Sequence, residues 1–184
     1  MTPRSKFAAR APRSAAAAFA CVALACAFMF ASACAVAPAR RAVIVPIAQP
    51  ALRISALASD GDARRRASTQ LVLYGLASEM RGSLREALAR YEDALKVDAN
   101  NPSASLAFAR YEIFVGDADR GLAHLDRYEA LAGAHASLAH VAGLRGAALA
   151  KLGKRALARP YLEEARALAP SVWGDARLDA RELR

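Results

Sequence analysis

Apolar residues between Ser68 and Val172 recur at three- and four-residue steps, in six short runs separated by turn residues. The first run carries Leu71, Tyr74, Gly75 and Ser78 on one face, and Gly82 breaks it. Leu84, Ala87, Leu88, Tyr91, Ala94 and Leu95 then form the apolar face of a return segment. Spacing of this kind predicts amphipathic helices rather than strands. Phe108 and Ala109 before Gly116, followed by Leu122, Leu125 and Tyr128 up to Gly133, repeat the arrangement. Leu144, Gly146 and Leu149 before Gly153, with Ala158, Leu162, Ala165 and Leu168 after it, repeat it again. Gly82 and Gly116 are 34 residues apart, and Gly116 and Gly153 are 37 apart. A period in this range predicts stacked helical hairpins, not a closed enzyme core.

The pattern divides the chain into repeats over 68–101, 102–135 and 139–172. Pro102 suits a first helical position, where its missing amide donor is not needed. Small Gly75 and Ala87 let the first two helices approach closely, with Tyr74 and Tyr91 filling the space around them. Glu86 with Arg90, and Glu92 with Lys96, are acid-before-base pairs at i,i+4, suited to an exposed helix face. Pro160 falls well inside the last return helix, where a bend is expected. Residues 173–184 place Trp173, Leu178 and Leu183 among charged residues and predict a helix that caps the last repeat.

The six runs resemble the tetratricopeptide repeat, whose 34-residue pattern is Trp, Leu-Gly and Tyr in the first helix, then Ala, Phe/Tyr, Ala and Pro. In the first copy Tyr74-Gly75 stand for Leu-Gly, and Ala87, Tyr91 and Ala94 fit directly. The third keeps Gly146, Gly153, Ala158, Ala165 and Pro170; the second, with Ser105 in the Trp position and Gly121 in the small slot, departs further. The resemblance covers 105 of the 184 residues. It implies an all-α fold, a right-handed superhelix of about three antiparallel hairpins with a C-terminal capping helix. It also implies a concave groove lined by the leading helices. Carried onto this chain, the groove positions are Thr69, Val72, Leu76, Glu79 and Met80; Ser103, Leu106, Arg110, Ile113 and Phe114; and His140, Gly143, Ala147, Ala150 and Lys151. Such a groove is apolar in its middle, with Arg110 and Lys151 as positive points. It suits a protein segment with an apolar side and an acid. The alternative is that Leu76 and Phe114 pack against neighbouring helices or against the chain before Ser68.

The N-terminal third reads differently. Residues 1–14 are basic, Ser-rich and free of acids, and from Ala15 to Ala33 only Ser32 interrupts an apolar run. A basic region, an apolar region and then small residues form an export pattern, so 1–33 is expected to be a signal peptide. The run is also near the length of a membrane span. Ser32-Ala33-Cys34 resembles the end of bacterial lipoprotein signals, in which cleavage precedes an acylated cysteine, and this implies lipidation at Cys34. Ala31 stands where Leu is usual. Simple cleavage after Ala33 and a retained anchor are the alternatives. Ala35 is not the Asp associated with inner-membrane retention, which favours the outer membrane, facing the periplasm. Residues 34–67, punctuated by Pro38, Pro46 and Pro50, are expected to be a lipid-anchored tether or a partly helical linker. Arg64, Arg65 and Arg66 within it read either as a solvated helix start or as a contact for anionic lipid headgroups.

Charge and chemistry narrow the function. The net charge is +9. Removing the segment before Cys34 leaves 22 Lys/Arg against 17 Asp/Glu, an ordinary balance for one domain. Positives interleaved with acids, in an exported chain, argue against nucleic-acid binding. All three cysteines, Cys21, Cys26 and Cys34, precede the repeats. His124, His135 and His140 lack the spacing of a metal site, Glu163 and Glu164 are adjacent and diverge, and no glycine-rich phosphate loop is present. The sequence therefore predicts no enzyme, cofactor or metal. The resemblance to exported repeat lipoproteins implies an envelope scaffold or adaptor that binds a partner protein in its groove, as in pilus or outer-membrane assembly. The alternatives are a structural subunit with a self-filled groove that docks through its convex face, or an accessory protein of a polysaccharide or secretion system.

Overall fold

A computed structural model describes residues 52–184. The expected signal peptide, Cys34 and the first part of the tether lie outside the described residues. What is described is all-α: six long helices in three antiparallel pairs, followed by two single helical turns. The pairs are α1 (Ala63–Met80) with α2 (Leu84–Val97), α3 (Pro102–Phe114) with α4 (Ala118–Ala132), and α5 (Leu138–Lys151) with α6 (Arg155–Leu168). The last turns are α7 (Pro170–Trp173) and α8 (Ala180–Leu183), and a 3-10 turn, Ile54–Leu57, precedes α1.

Local chemistry sets the boundaries. The Asp62 carboxylate accepts from the Arg65 amide at 2.7 Å and starts α1. That start lies five residues before Ser68, so the repeat begins earlier than expected and the arginine triplet forms the helix start. All three arginines are engaged: Arg64 donates to the Val97 carbonyl, Arg65 to Asp98 and, at 3.0 Å, to the Asn100 carbonyl, and Arg66 to the Gly61 carbonyl at 2.6 Å. Arg64 and Arg65 fasten the head of α1 to the tail of α2, while Arg66 ties back to the turn before α1.

Gly82 and Gly153 turn the first and third pairs with φ of 80° and 77°, a left-handed conformation that costs glycine little. The second pair turns differently. There the Glu112 carboxylate, buried on α3, accepts from the Asp117 amide at 2.8 Å, and Asp117 in turn caps α4. Pro160 is exposed, and α6 runs unbroken from Arg155 to Leu168.

Core packing follows the small–large alternation. Tyr91 is wholly buried, and a methyl on Gly75 would lie 2.5 Å from its ring, which explains the glycine. Tyr74 does not fill that space; it points outward, 61% exposed. The expected i,i+4 pairs are also replaced: Glu86 faces Arg81 at 3.5 Å and Lys96 pairs with Asp93 at 3.0 Å. These exposed pairs contribute little. α3 is buried almost all round, from Ser103 to Ile113, because pairs lie on both sides of it.

Candidate functional site

The leading helices α1, α3 and α5 adjoin one another, and this is the face on which the groove residues were expected. The chain's own C-terminal stretch lies across it. Trp173 is wholly buried over α5, so close to Gly143 that a methyl there would lie 2.2 Å from the indole. Its ring meets His140 edge-on at 6.4 Å. The chain then passes Leu178, whose carbonyl accepts from Arg110 Nε on α3 at 2.7 Å. α8 packs on α1, with Leu183 wholly buried, and the Arg184 carbonyl accepts from the Ser55 amide at 3.1 Å. Residues 173–184 thus cross the leading helices in reverse order, α5, α3, α1, with 174–184 forming a strap beyond Trp173. They do not form the single capping helix expected of 173–184.

Beneath the strap lies a polar centre. Arg110 is 2% exposed, and its NH1 donates to both carboxylate oxygens of Glu79 at 2.8 Å. The Tyr91 hydroxyl donates to Glu79 Oε2 at 3.0 Å. Burial, and then the adjoining Glu79 charge, raise the Tyr91 pKa, so this hydroxyl keeps its proton and remains a donor. One guanidinium therefore satisfies a buried carboxylate and a strap carbonyl together, which its planar fork allows and a lysine would not. Two cations approach the Phe114 ring, with Arg110 Cζ at 6.0 Å and Arg177 Cζ at 5.6 Å from its centroid.

Twelve of the fifteen expected groove positions are distributed over the core, the polar centre, the junction of the first two pairs, the bed of Trp173 and the rim. Val72, Leu76, Leu106 and Ile113 are buried in the core, and Glu79 and Arg110 form the polar centre. Thr69 and Ser103 belong to a node around Asn101. The Asn101 Nδ2 donates to Ser68 Oγ at 2.9 Å and Thr69 Oγ1 at 3.1 Å, while its Oδ1 accepts from the Ser103 amide at 3.0 Å. His140 is buried with Nδ1 2.8 Å from Ser137 Oγ, and burial lowers its pKa to about 4. Met80, Phe114 and Lys151 remain at the rim; Lys151 Nζ donates to the Ile113 and Gly116 carbonyls at 2.9 and 2.8 Å, closing the end of α3.

A second recess, of about 410 Å³, opens between α4, α5 and α6, lined by Leu122, Asp126, Arg145, Leu149, Leu157 and Tyr161. Leu157 is 60% exposed there, and Arg145 bridges Asp126 at 2.7 Å and Glu129. Among the described residues no three His, Cys, Asp or Glu side chains gather to hold a metal, and no helix is long and apolar enough to cross a membrane. The strap and the Asn101 node were missed from sequence. The available signals were Leu178-x-Ala180-x-x-Leu183 after the last repeat and Asn101 before Pro102. Comparison of the chain with family models, with curated proteins and with solved structures gives no match.

Proposed function

We propose that this protein is a non-catalytic adaptor of the cell envelope, of the tetratricopeptide-repeat type, that holds an extended segment of a partner protein across α1, α3 and α5. Lipid on Cys34 tethers it at the outer membrane, facing the periplasm. The observation that supports the binding role is the strap itself: this face accommodates an extended stretch of chain through buried leucines and one carbonyl-directed arginine. Extended segments bind helical grooves by this combination, apolar anchors for affinity and main-chain bonds for direction. With Glu79 matching the charge of Arg110, the segment offers Arg110 a carbonyl in preference to an acid.

A second reading draws on the same observation. If the strap stays in place, the protein docks through the α4–α6 recess around Leu157, as a structural subunit. Photo-crosslinking probes placed in living cells at Met80, Phe114 and Lys151, compared with probes at Leu157 and Tyr161, separate the two. The adaptor reading expects one envelope protein captured from the rim positions and not from the recess. Capture confined to Leu157 and Tyr161 would overturn it and favour the second.

A further inference from the structure

We propose that residues 174–184 are a displaceable cis ligand, and that the partner segment they exclude carries the strap's own chemistry. This rests on the adaptor reading and specifies its ligand. The strap reports what the face recognises. Leu178, Ala180 and Leu183 are buried while Asp175, Arg177, Asp179 and Arg181 face water, so recognition follows Leu-x-Ala-x-x-Leu. The Leu178 carbonyl must be free to meet Arg110, so the segment is extended there and turns helical only afterwards. The Asp179 amide donating to the Glu182 carboxylate at 2.7 Å starts that turn. A matching partner is therefore a flexible, charge-balanced segment with small and leucine-like anchors, not a long preformed helix.

The strap is also built to leave. Between Trp173 and Leu178 residues 174, 175 and 177 are exposed, and Ala176 takes a φ of 60°, a conformation unfavourable for a residue with a side chain. Beyond this hinge only three side chains are buried, against six long helices below. Segments with so few buried contacts open locally without global unfolding. Opening takes the Leu178 carbonyl away from Arg110 Nε, which then requires a new acceptor.

The test uses the full chain and a fluorescent peptide of the sequence 174–184 with blocked ends. In the Leu178→Asp, Leu183→Asp variant the strap is expelled, and peptide affinity should rise at least ten-fold over the unaltered chain. Adding Arg110→Lys, which keeps a charge for Glu79 but loses the fork, should reduce it ten-fold again. Equal binding to all three, or none, with helical circular dichroism in each, would overturn the proposal. Should the double variant fail to fold, hydrogen exchange on the unaltered chain decides. Strap amides exchanging at least a hundred-fold faster than those of α1 and α3 support local release; exchange at a common rate overturns it. A concentration-dependent dimer of the unaltered chain, with strap contacts made between copies, would assign the face to a second copy and overturn the partner. Peptide binding with no envelope protein captured in cells would leave this recognition intact and sink only the adaptor role.

Discussion

At the scale of single residues, Arg110 carries the most. It is buried, paired and, among the described residues, the only side chain outside the strap seen to hold the strap's backbone by a hydrogen bond. Removing one member of such a pair strands the other, at a cost of about 3–5 kcal/mol. Arg110→Met should therefore lower urea-unfolding stability by that order, with partial recovery in Arg110→Met, Glu79→Leu. No recovery in the double variant would mean that Glu79 is not the group left uncompensated. His140 gives a pH prediction. Burial holds its pKa near 4, against 6.5 for an ordinary histidine. Below about pH 6.5 the unfolded chain takes up a proton that the folded chain refuses, so stability falls as pH drops and levels off below about 4. The loss amounts to about 3 kcal/mol, and His140→Asn should flatten that part of the unfolding profile. The repeat pattern gave Arg110 and His140 their positions on the leading helices. It gave no sign of their burial, because the groups that cover them, Leu178 and Trp173, lie 68 and 33 residues further along.

At the scale of elements, the junction between the first two pairs is polar as well as apolar. Asn101 caps α3 while its amide holds Ser68 and Thr69 on α1, and Ser68 Oγ donates to the Ala94 carbonyl of α2 at 2.8 Å. Asn101→Ala removes a cap worth about 1 kcal/mol and leaves buried hydroxyls short of a partner. We expect a loss of about 2 kcal/mol by thermal or urea unfolding; Asn101→Asp, which keeps the cap but loses the amide donors, should fall between. Equal stability of Asn101→Ala and the unaltered chain would show that water replaces the node. The six helices were legible because their apolar steps and their turn residues Gly82, Asn101-Pro102, Gly116 and Gly153 agree with one another. The start of α1 was not, since Asp62 is one of several turn-like residues in a row and only the tail of α2 explains Arg64 and Arg65.

At the scale of the molecule, three hairpins could be read from period alone, whereas their closure could not. Periodicity describes what repeats, and the strap occurs once. In a simple stack each unit touches only its neighbours and stability grows nearly as a sum of units. Here a single twelve-residue stretch, 173–184, meets the third, second and first pairs in turn and reaches Ser55. Its reach is therefore a ruler. Inserting or deleting one hairpin would move Arg110 and Ser55 out of step with Leu178 and Arg184, since adjacent helices stand about 8–10 Å apart and an extended residue covers only about 3.3 Å. Growth by duplication, the ordinary route by which repeat arrays lengthen, is closed to this chain unless the strap lengthens with it.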